Sequence, residues 1–272
     1  MDLPAPLLFL AHPAVQYGLA PFLAALFTVM VLHRLRLGGL ALAAAFCTAV
    51  WLTVDWTLYP LTPLRKLILI GLVTPPLGLL VDFMARESLA WRIALAALAA
   101  AASIWVHEPA PDPASLAAAV ILPAWLVMSL LAMNGAPRRS RGAIVALAGG
   151  TAVCAAYGEA PVHFSGYAAS LASGAGAFLL WLLGTNRKWS AGAVMRLPAA
   201  TLTGLLLGGA VLQGGTPWSA ALLLALVPLA ARIPAPQHWA LRSQVALVCL
   251  YTLAIAAAAV YTLWRPWPET AL

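Results

Sequence analysis

One short stretch carries charged and aromatic side chains inside an apolar run: Asp55, Tyr59, Arg65 and Lys66 flank the turn Pro-Leu-Thr-Pro. Asp55 and Arg65 each lie five residues from the first proline of that turn, so an antiparallel helix hairpin would place them at similar depth. A charge in hydrocarbon costs at least about 2.5–3.5 kcal/mol, so such groups pair or face a cavity. The stretch therefore predicts either a site that binds or gates an anionic substrate, or a structural clamp in which one cation reaches the lipid headgroups.

Two further local patterns accompany that stretch. Trp51, Asp55 and Tyr59 recur at i, i+4, which places them on one face of a helix. Thr74-Pro75-Pro76 interrupts the next apolar run, and a double proline frees backbone carbonyls and bends a helix. Broken helices near the bilayer midplane often form substrate or ion sites in transporters, whereas the structural alternative is a kink solvated by neighbouring helices.

A polar group is expected in the loops on the same side of the membrane: His107, Glu108, Asp112, Glu159 and His163. Two imidazoles and three carboxylates could bind a divalent metal or relay protons. Metal sites, however, usually show tight ligand spacing, such as two histidines at i and i+4, which this group lacks. Solvated loop charge is the favoured interpretation, and we predict neither a metal nor a cofactor.

The composition decides where these residues must lie. The chain has 272 residues, of which 63% are apolar and 8% charged, whereas a soluble domain carries about 25% charge. With a mean hydropathy of +0.93, a soluble enzyme, a disordered chain and a fibrous protein are excluded. The net charge of +7 does not indicate nucleic acid, because Lys and Arg of membrane proteins concentrate in cytoplasmic loops. The lipid bilayer is the expected surrounding.

Charges and Pro/Gly clusters divide the chain into ten apolar segments, with boundaries uncertain by about 2–4 residues. The segments are 14–32, 39–58, 64–82, 89–106, 115–133, 142–158, 165–184, 196–213, 216–232 and 241–263. Each is close to the roughly 20 residues that a spanning helix needs. We therefore predict an all-α polytopic integral membrane protein of about ten transmembrane helices in one domain, 1–272. The sixth and ninth segments are the weakest, because the sixth contains Gly149-Gly150 and the ninth is bracketed by Pro217 and Pro228.

The distribution of Lys and Arg predicts the orientation. Twelve of the 15 fall in loops after odd-numbered segments, and the exceptions are Arg65, Lys66 and Arg265. Since basic loops stay in the cytoplasm, both termini are expected outside, which is the periplasmic side of a bacterial inner membrane.

Ten helices also permit two halves, 1–137 and 138–272, which would be inverted because each holds an odd number of helices. An offset of 125 residues aligns Pro-Ala-Pro at 109–111 with Pro-Ala-Pro at 234–236. Such matches also arise by chance in a chain rich in Ala, Leu and Pro.

One stretch bears on an enzymatic function. Leu171-Ala-Ser-Gly-Ala175 resembles the Gly-Ala-Ser-Gly-Ala nucleophile stretch of rhomboid proteases, and the resemblance implies a serine nucleophile at Ser173. The candidate base, His238, is expected on the inner side, and the rhomboid His-x-x-x-Asn pattern is missing. A small-residue surface for close helix packing is therefore preferred.

Three functions stay open. The leading one is a small-solute transporter working by alternating access, in which Arg65 and Lys66 attract an anionic group and Asp55 gates or carries a proton. The second is a non-catalytic subunit or assembly factor with a protein partner bound at small residues: Gly174, Gly204, Gly208 and Gly209. The third is an outer-face enzyme that acts on lipid or glycan.

Overall fold

The structure, a computed structural model, describes residues 11–35, 37–54, 59–84, 89–107, 113–135, 140–185, 192–213, 215–233, 236 and 239–264. These residues form ten main helices and no strand. In chain order the helices are α1 (Ala20–Leu32), α2 (Ala41–Thr53), α3 (Pro63–Met84), α4 (Leu89–His107), α5 (Pro113–Gly135), α6 (Ser140–Tyr157), α7 (Val162–Thr185), α8 (Ala193–Gln213), α9 (Trp218–Ala230) and α10 (Leu241–Trp264). A π-helical turn, Val15–Leu19, precedes α1, and two 3₁₀ turns, His33–Leu35 and Gly38–Leu40, join α1 to α2.

Each predicted segment corresponds to one helix, including the two weakest, which form α6 and α9. Among the described residues, five helices are long and apolar enough to cross a membrane: Val15–Leu35, Pro63–Phe83, Val162–Thr185, Ala193–Gln213 and Arg242–Trp264. Shorter apolar helices are Gly38–Thr53, Ile93–His107, Ala119–Met133 and Trp218–Ala230. The architecture is consistent with a helical membrane protein, whereas ten full crossings and the placement of the termini stay predictions.

Helix α8 lies at the centre of the molecule. Its most apolar window is 94% buried, and it packs chiefly against α3, α5, α6 and α7. Glycines allow this close approach: Gly204 and Gly208 contact α5, and Gly209 contacts Phe164 of α7. Gly174 of α7 likewise packs on Ala45 of α2. The prediction that these four glycines line a surface for a partner is therefore wrong, because helix packing within the chain already covers them.

The N-terminal end of α8 is held by a carboxylate from α3. Asp82 accepts hydrogen bonds from the backbone N–H of Ala193 (2.7 Å) and of Val194 (3.0 Å), one on each oxygen. The carbonyl of Gly192 accepts from the next two amides, those of Met195 and Arg196. All four N–H groups that a helix start leaves without an intrahelical partner are thus satisfied.

Two arginines donate hydrogen bonds to backbone carbonyls at the C-terminal end of a helix, α5. Arg232 donates from Nη2 to the carbonyl of Leu131 (2.6 Å), and Arg196 donates from Nη1 to the carbonyl of Met133 (3.5 Å). Both acceptors lie at the C-terminal end of α5, where the helix dipole favours cations. Residues that the sequence marks as cytoplasmic loop charge therefore also join helices.

We expect Asp82→Ala to destabilise the protein by about 1–2 kcal/mol, the usual cost of losing an N-terminal helix cap. The measurement is the thermal unfolding midpoint of the purified protein in mild detergent. Asp82→Asn, which keeps an acceptor oxygen, should lose less, and equal losses for the two variants would contradict the capping role.

Gly78→Ala is expected to cost about 1–3 kcal/mol, because a Cβ there would lie 2.5 Å from Cα of Val194 and 2.7 Å from the carbonyl oxygen of Ala193. Gly176→Ala is the matched control, since a Cβ at that helical position meets no atom within 4 Å and raises helix propensity by up to about 1 kcal/mol. The same unfolding assay should move the two midpoints in opposite directions; a neutral Gly78→Ala would contradict the close contact.

Candidate functional site

The predicted charged stretch is only partly described, since Asp55 lies outside the described residues. Helix α2 ends at Thr53, before the predicted limit of 58, and Val54 is extended. Tyr59 is exposed and lies outside any helix. The prediction that Tyr59 shares a helix face with Trp51 is therefore wrong.

Arg65 and Lys66 lie in the first turn of α3, and their side chains contact different parts of the chain. Arg65 donates from Nη1 to the carbonyl of Pro60, 2.8 Å away, within its own turn. Lys66 is only 5% exposed, and its Nζ donates to the carbonyl of Trp105 (3.1 Å) while lying 5.3 Å from the centre of that indole ring. Lys66 thus joins α3 to the C-terminal end of α4 rather than extending to the headgroups, and this position combines a helix dipole with a cation–π contact.

A cavity of about 510 Å³ lies between α3, α4 and α8. Its walls are almost entirely apolar, and Trp105, the partner of Lys66, belongs to them. The lining residues are Leu69, Ile70, Val73, Thr74, Leu77, Leu95, Leu98, Ala99, Ala101, Ala102, Trp105, Leu197 and Thr201. Its volume is that of a small-molecule pocket.

The cavity exists because two helices consecutive in sequence pack on different partners. Helix α3 packs chiefly on α8, and α4 chiefly on α5, so a cleft stays open between α3 and α4. Val73, Leu98 and Trp105 line the cavity and are also exposed. Val73 and Leu98 lie near the middle of their helices and Trp105 near the C-terminal end of α4, so the cavity reaches the molecular surface sideways as well as toward that end.

Two threonines that line this cavity differ from the other helical threonines in the described part of the chain. Thr74 is 6% exposed and Thr201 1%, and within the described part of the chain neither hydroxyl has a hydrogen-bond partner. Threonines elsewhere in the helices donate to a carbonyl one turn earlier: Thr28, Thr48, Thr53, Thr151, Thr185, Thr203, Thr252 and Thr262. A buried hydroxyl without a partner costs free energy, so a ligand able to hydrogen-bond at this wall would recover it.

Prolines lie beside both hydroxyls. Pro75 and Pro76 follow Thr74 in α3, and Pro198 precedes Thr201 in α8 by one turn. Helix α3 nevertheless continues through both prolines, so the predicted break at Thr74-Pro75-Pro76 is wrong. A proline removes only its own N–H, which weakens the helix locally, and packing against α8 supports the rest.

Thr201 and Pro198 were not identified from the sequence. Their signal is the same as that of Thr74-Pro75: a hydroxyl residue within one turn of a helix-internal proline in an apolar run. In α8 the proline and the threonine are three residues apart, whereas in α3 they are adjacent. Nothing in the sequence shows that two segments so far apart in the chain share one cavity.

Glu108 and Asp112 of the expected outer-loop polar group lie outside the described residues, and among the described residues no three His, Cys, Asp or Glu side chains come together as a metal site would require. His107 ends α4, and its Nε2 would lie 2.9 Å from a Cβ placed on Gly208 of α8. Glu159 is exposed in the α6–α7 turn, with a positive φ of 55°. His163 begins α7, where its Nδ1 lies 3.3 Å from the hydroxyl of Tyr17. His107 and His163 are therefore placed against different helices.

The contact at His163 belongs to an aromatic cluster that the sequence did not reveal. Tyr167 packs edge-on against Tyr17, with ring centres 5.6 Å apart, and its hydroxyl lies 2.9 Å from that of Thr53. Phe46 contacts the same ring. These residues come from α2, α7 and the turn before α1, so the cluster joins three parts of the chain at one end of the bundle.

The rhomboid-like stretch lies in α7. Ser173 is half-buried and adjoins Gly174, which packs on α2, while His238 lies outside the described residues. The packing interpretation of this stretch agrees with the observed contact.

Replacing the unpartnered hydroxyls by methyl groups should not harm the fold. We expect Thr74→Val and Thr201→Val to leave stability unchanged or to raise it by up to about 1 kcal/mol, because each removes a buried polar group without a partner. Thr203→Val is the control: its hydroxyl donates to a backbone carbonyl, so this variant should be the least stable of the three. Thermal unfolding in detergent checks the order, and a strong loss at Thr74 or Thr201 would show that those hydroxyls have a structural partner.

Neither the comparison with protein-family models nor that with curated proteins finds a match for this chain.

Proposed function

We propose that the chain is a multi-pass inner-membrane carrier of a small solute that works by alternating access. The observation that carries this proposal is the cavity between α3, α4 and α8, whose wall contains two buried hydroxyls without a partner. Pockets with apolar walls and a few polar groups are the usual form of small-molecule sites.

The helices that build the cavity wall also support a moving site. Pro75, Pro76 and Pro198 each remove one backbone donor, so α3 and α8 have fewer internal hydrogen bonds beside the cavity than elsewhere. Helices bend most readily at such positions. A carrier needs elements that can adopt two arrangements around one site, and α3 and α8 meet that requirement.

In this proposal the charges at the start of α3 control the outer entrance. Lys66 is bonded to Trp105, and Trp105 is itself part of the cavity wall, so a shift of α3 against α4 changes the cavity and the lysine contact together. Arg65 binds the turn before α3. Asp55, which lies outside the described residues, keeps in this proposal the role expected from the sequence, that of gating or carrying a proton.

The two-halves arrangement, 1–137 and 138–272, belongs to the same proposal. Under it α3 corresponds to α8, and these two proline-containing helices pack against each other. The hairpins α1–α2 and α6–α7 also correspond, as do α4–α5 and α9–α10, and each is closely packed. Helix α6 packs on α10, whereas the corresponding pair, α1 and α5, makes no comparable contact in the described part of the chain.

Cysteine accessibility tests alternating access without knowledge of the solute. After Cys47, Cys154 and Cys249 are replaced by serine, Thr201→Cys is labelled with a membrane-impermeant maleimide in right-side-out and in inside-out vesicles. We expect labelling from both faces, because a carrier exposes its site to each side in turn. Adding Arg65→Ala, which removes the proposed gate contact, should change labelling from the outer face.

Thr203→Cys is the matched control, since it lies on the same helix, is fully buried, and does not line the cavity. It should be labelled from neither face. Labelling of Thr201→Cys from neither face, or from one face only, would contradict alternating access.

A further inference from the structure

We infer that the cavity binds an uncharged amphipathic molecule that enters from the bilayer through the cleft between α3 and α4. The inference rests on the proposed function and specifies its substrate class. In the bound state the apolar body fills the cavity, and one hydrogen-bonding group reaches the hydroxyls of Thr74 and Thr201, which are covered in this structure and must turn toward the cavity to make that contact.

The opening determines the route of entry. Val73 and Leu98 are exposed at mid-length of α3 and α4, in stretches of both helices without charged residues (67–81 and 93–106), so in a bilayer they face hydrocarbon. A molecule that passes between them therefore comes from the lipid phase. Water-soluble solutes would have to lose their hydration to use this opening, which costs several kcal/mol for each polar group without a partner.

The lining determines the charge of the occupant. None of the described residues that line the cavity is ionisable, and the ammonium group of Lys66, which contacts the lining residue Trp105, is already bonded to the carbonyl of that residue. An ion placed among these side chains would have no counter-charge, and an unpaired charge at this depth is strongly unfavourable. An alcohol, ketone or amide meets no such penalty.

The dimensions determine the shape. Along α4 the lining extends from Leu95 to Trp105, which is about 15 Å at the helical rise of about 1.5 Å per residue. Thr74 and Thr201 belong to α3 and α8, which pack on each other and, together with α4, enclose the cavity. An elongated apolar body with one polar group fits both features.

Photolabelling of the full-length protein in lipid nanodiscs tests the inference. Three probes that carry the same diazirine and alkyne on the same carbon chain are compared: dodecanol, dodecanoate and dodecane. We expect the alcohol to label residues of α3, α4 and α8 that line the cavity, and excess unlabelled dodecanol to suppress this labelling. Thr74→Val and Thr201→Val should each reduce alcohol labelling by about fivefold, the effect of one lost hydrogen bond, and leave dodecane labelling unchanged.

Leu98→Trp and Leu253→Trp form the matched pair for the site itself. Both leucines are about equally exposed, at 50% and 55%, but only Leu98 lines the cavity. Tryptophan at 98 should abolish cavity labelling, whereas tryptophan at 253, on α10, should not. This pair remains informative if either threonine variant fails to fold.

Three results would overturn the inference: alcohol and dodecane labelling the cavity alike, with no effect of the threonine variants; stronger labelling by dodecanoate than by the alcohol; or no saturable labelling. The accessibility experiment separates these results from a failure of the carrier proposal. Accessibility from both faces without alcohol labelling refutes only the substrate class, and alcohol labelling without alternating accessibility refutes only the carrier.

Discussion

The carboxylate of Asp82 at the start of α8 is the interaction on which the remaining architecture depends. Helix α8 is 94% buried, so water cannot satisfy the N–H groups at its end. Asp82 accepts from two of them, and it lies on α3, a helix more than a hundred residues earlier in the chain. Gly78, one turn before Asp82, lets the backbones of α3 and α8 approach closely. Together they fix the C-terminal end of α3 against the central helix.

The cavity follows from that attachment. Helix α3 packs chiefly on α8, and α4 packs chiefly on α5. Because of these contacts, α3 and α4 do not pack against each other along their whole length. The lysine contact, Lys66 with the carbonyl of Trp105, joins them at one end. Between that contact and the Asp82 end lies an apolar cleft in which Thr74 and Thr201 lack the carbonyl partner that helical threonines elsewhere have.

Several of the charged side chains considered above join helices, whereas the polar groups that line the cavity are neutral hydroxyls. Asp82, Arg196 and Arg232 bind helix ends, where their charge complements the helix dipole. Lys66 binds a carbonyl at the end of α4 for the same reason. The polar groups left without a partner at the cavity are hydroxyls, which can be buried at far lower cost than ions. Among the described residues, these four charged side chains thus join helices.

The sequence by itself determined the number, order and approximate bounds of the helices, because a chain this apolar must satisfy its backbone within each segment. It also indicated Thr74 with its prolines. Tertiary structure alone decided that Thr201 shares its cavity, that Asp82 caps α8 and that Lys66 turns inward. The physical reason is that helices apolar on every side carry no amphipathic pattern to show which face points inward. Which residues meet across distant helices is then set by small residues, helix-end charges and close packing, and these become visible only once the helices are assembled.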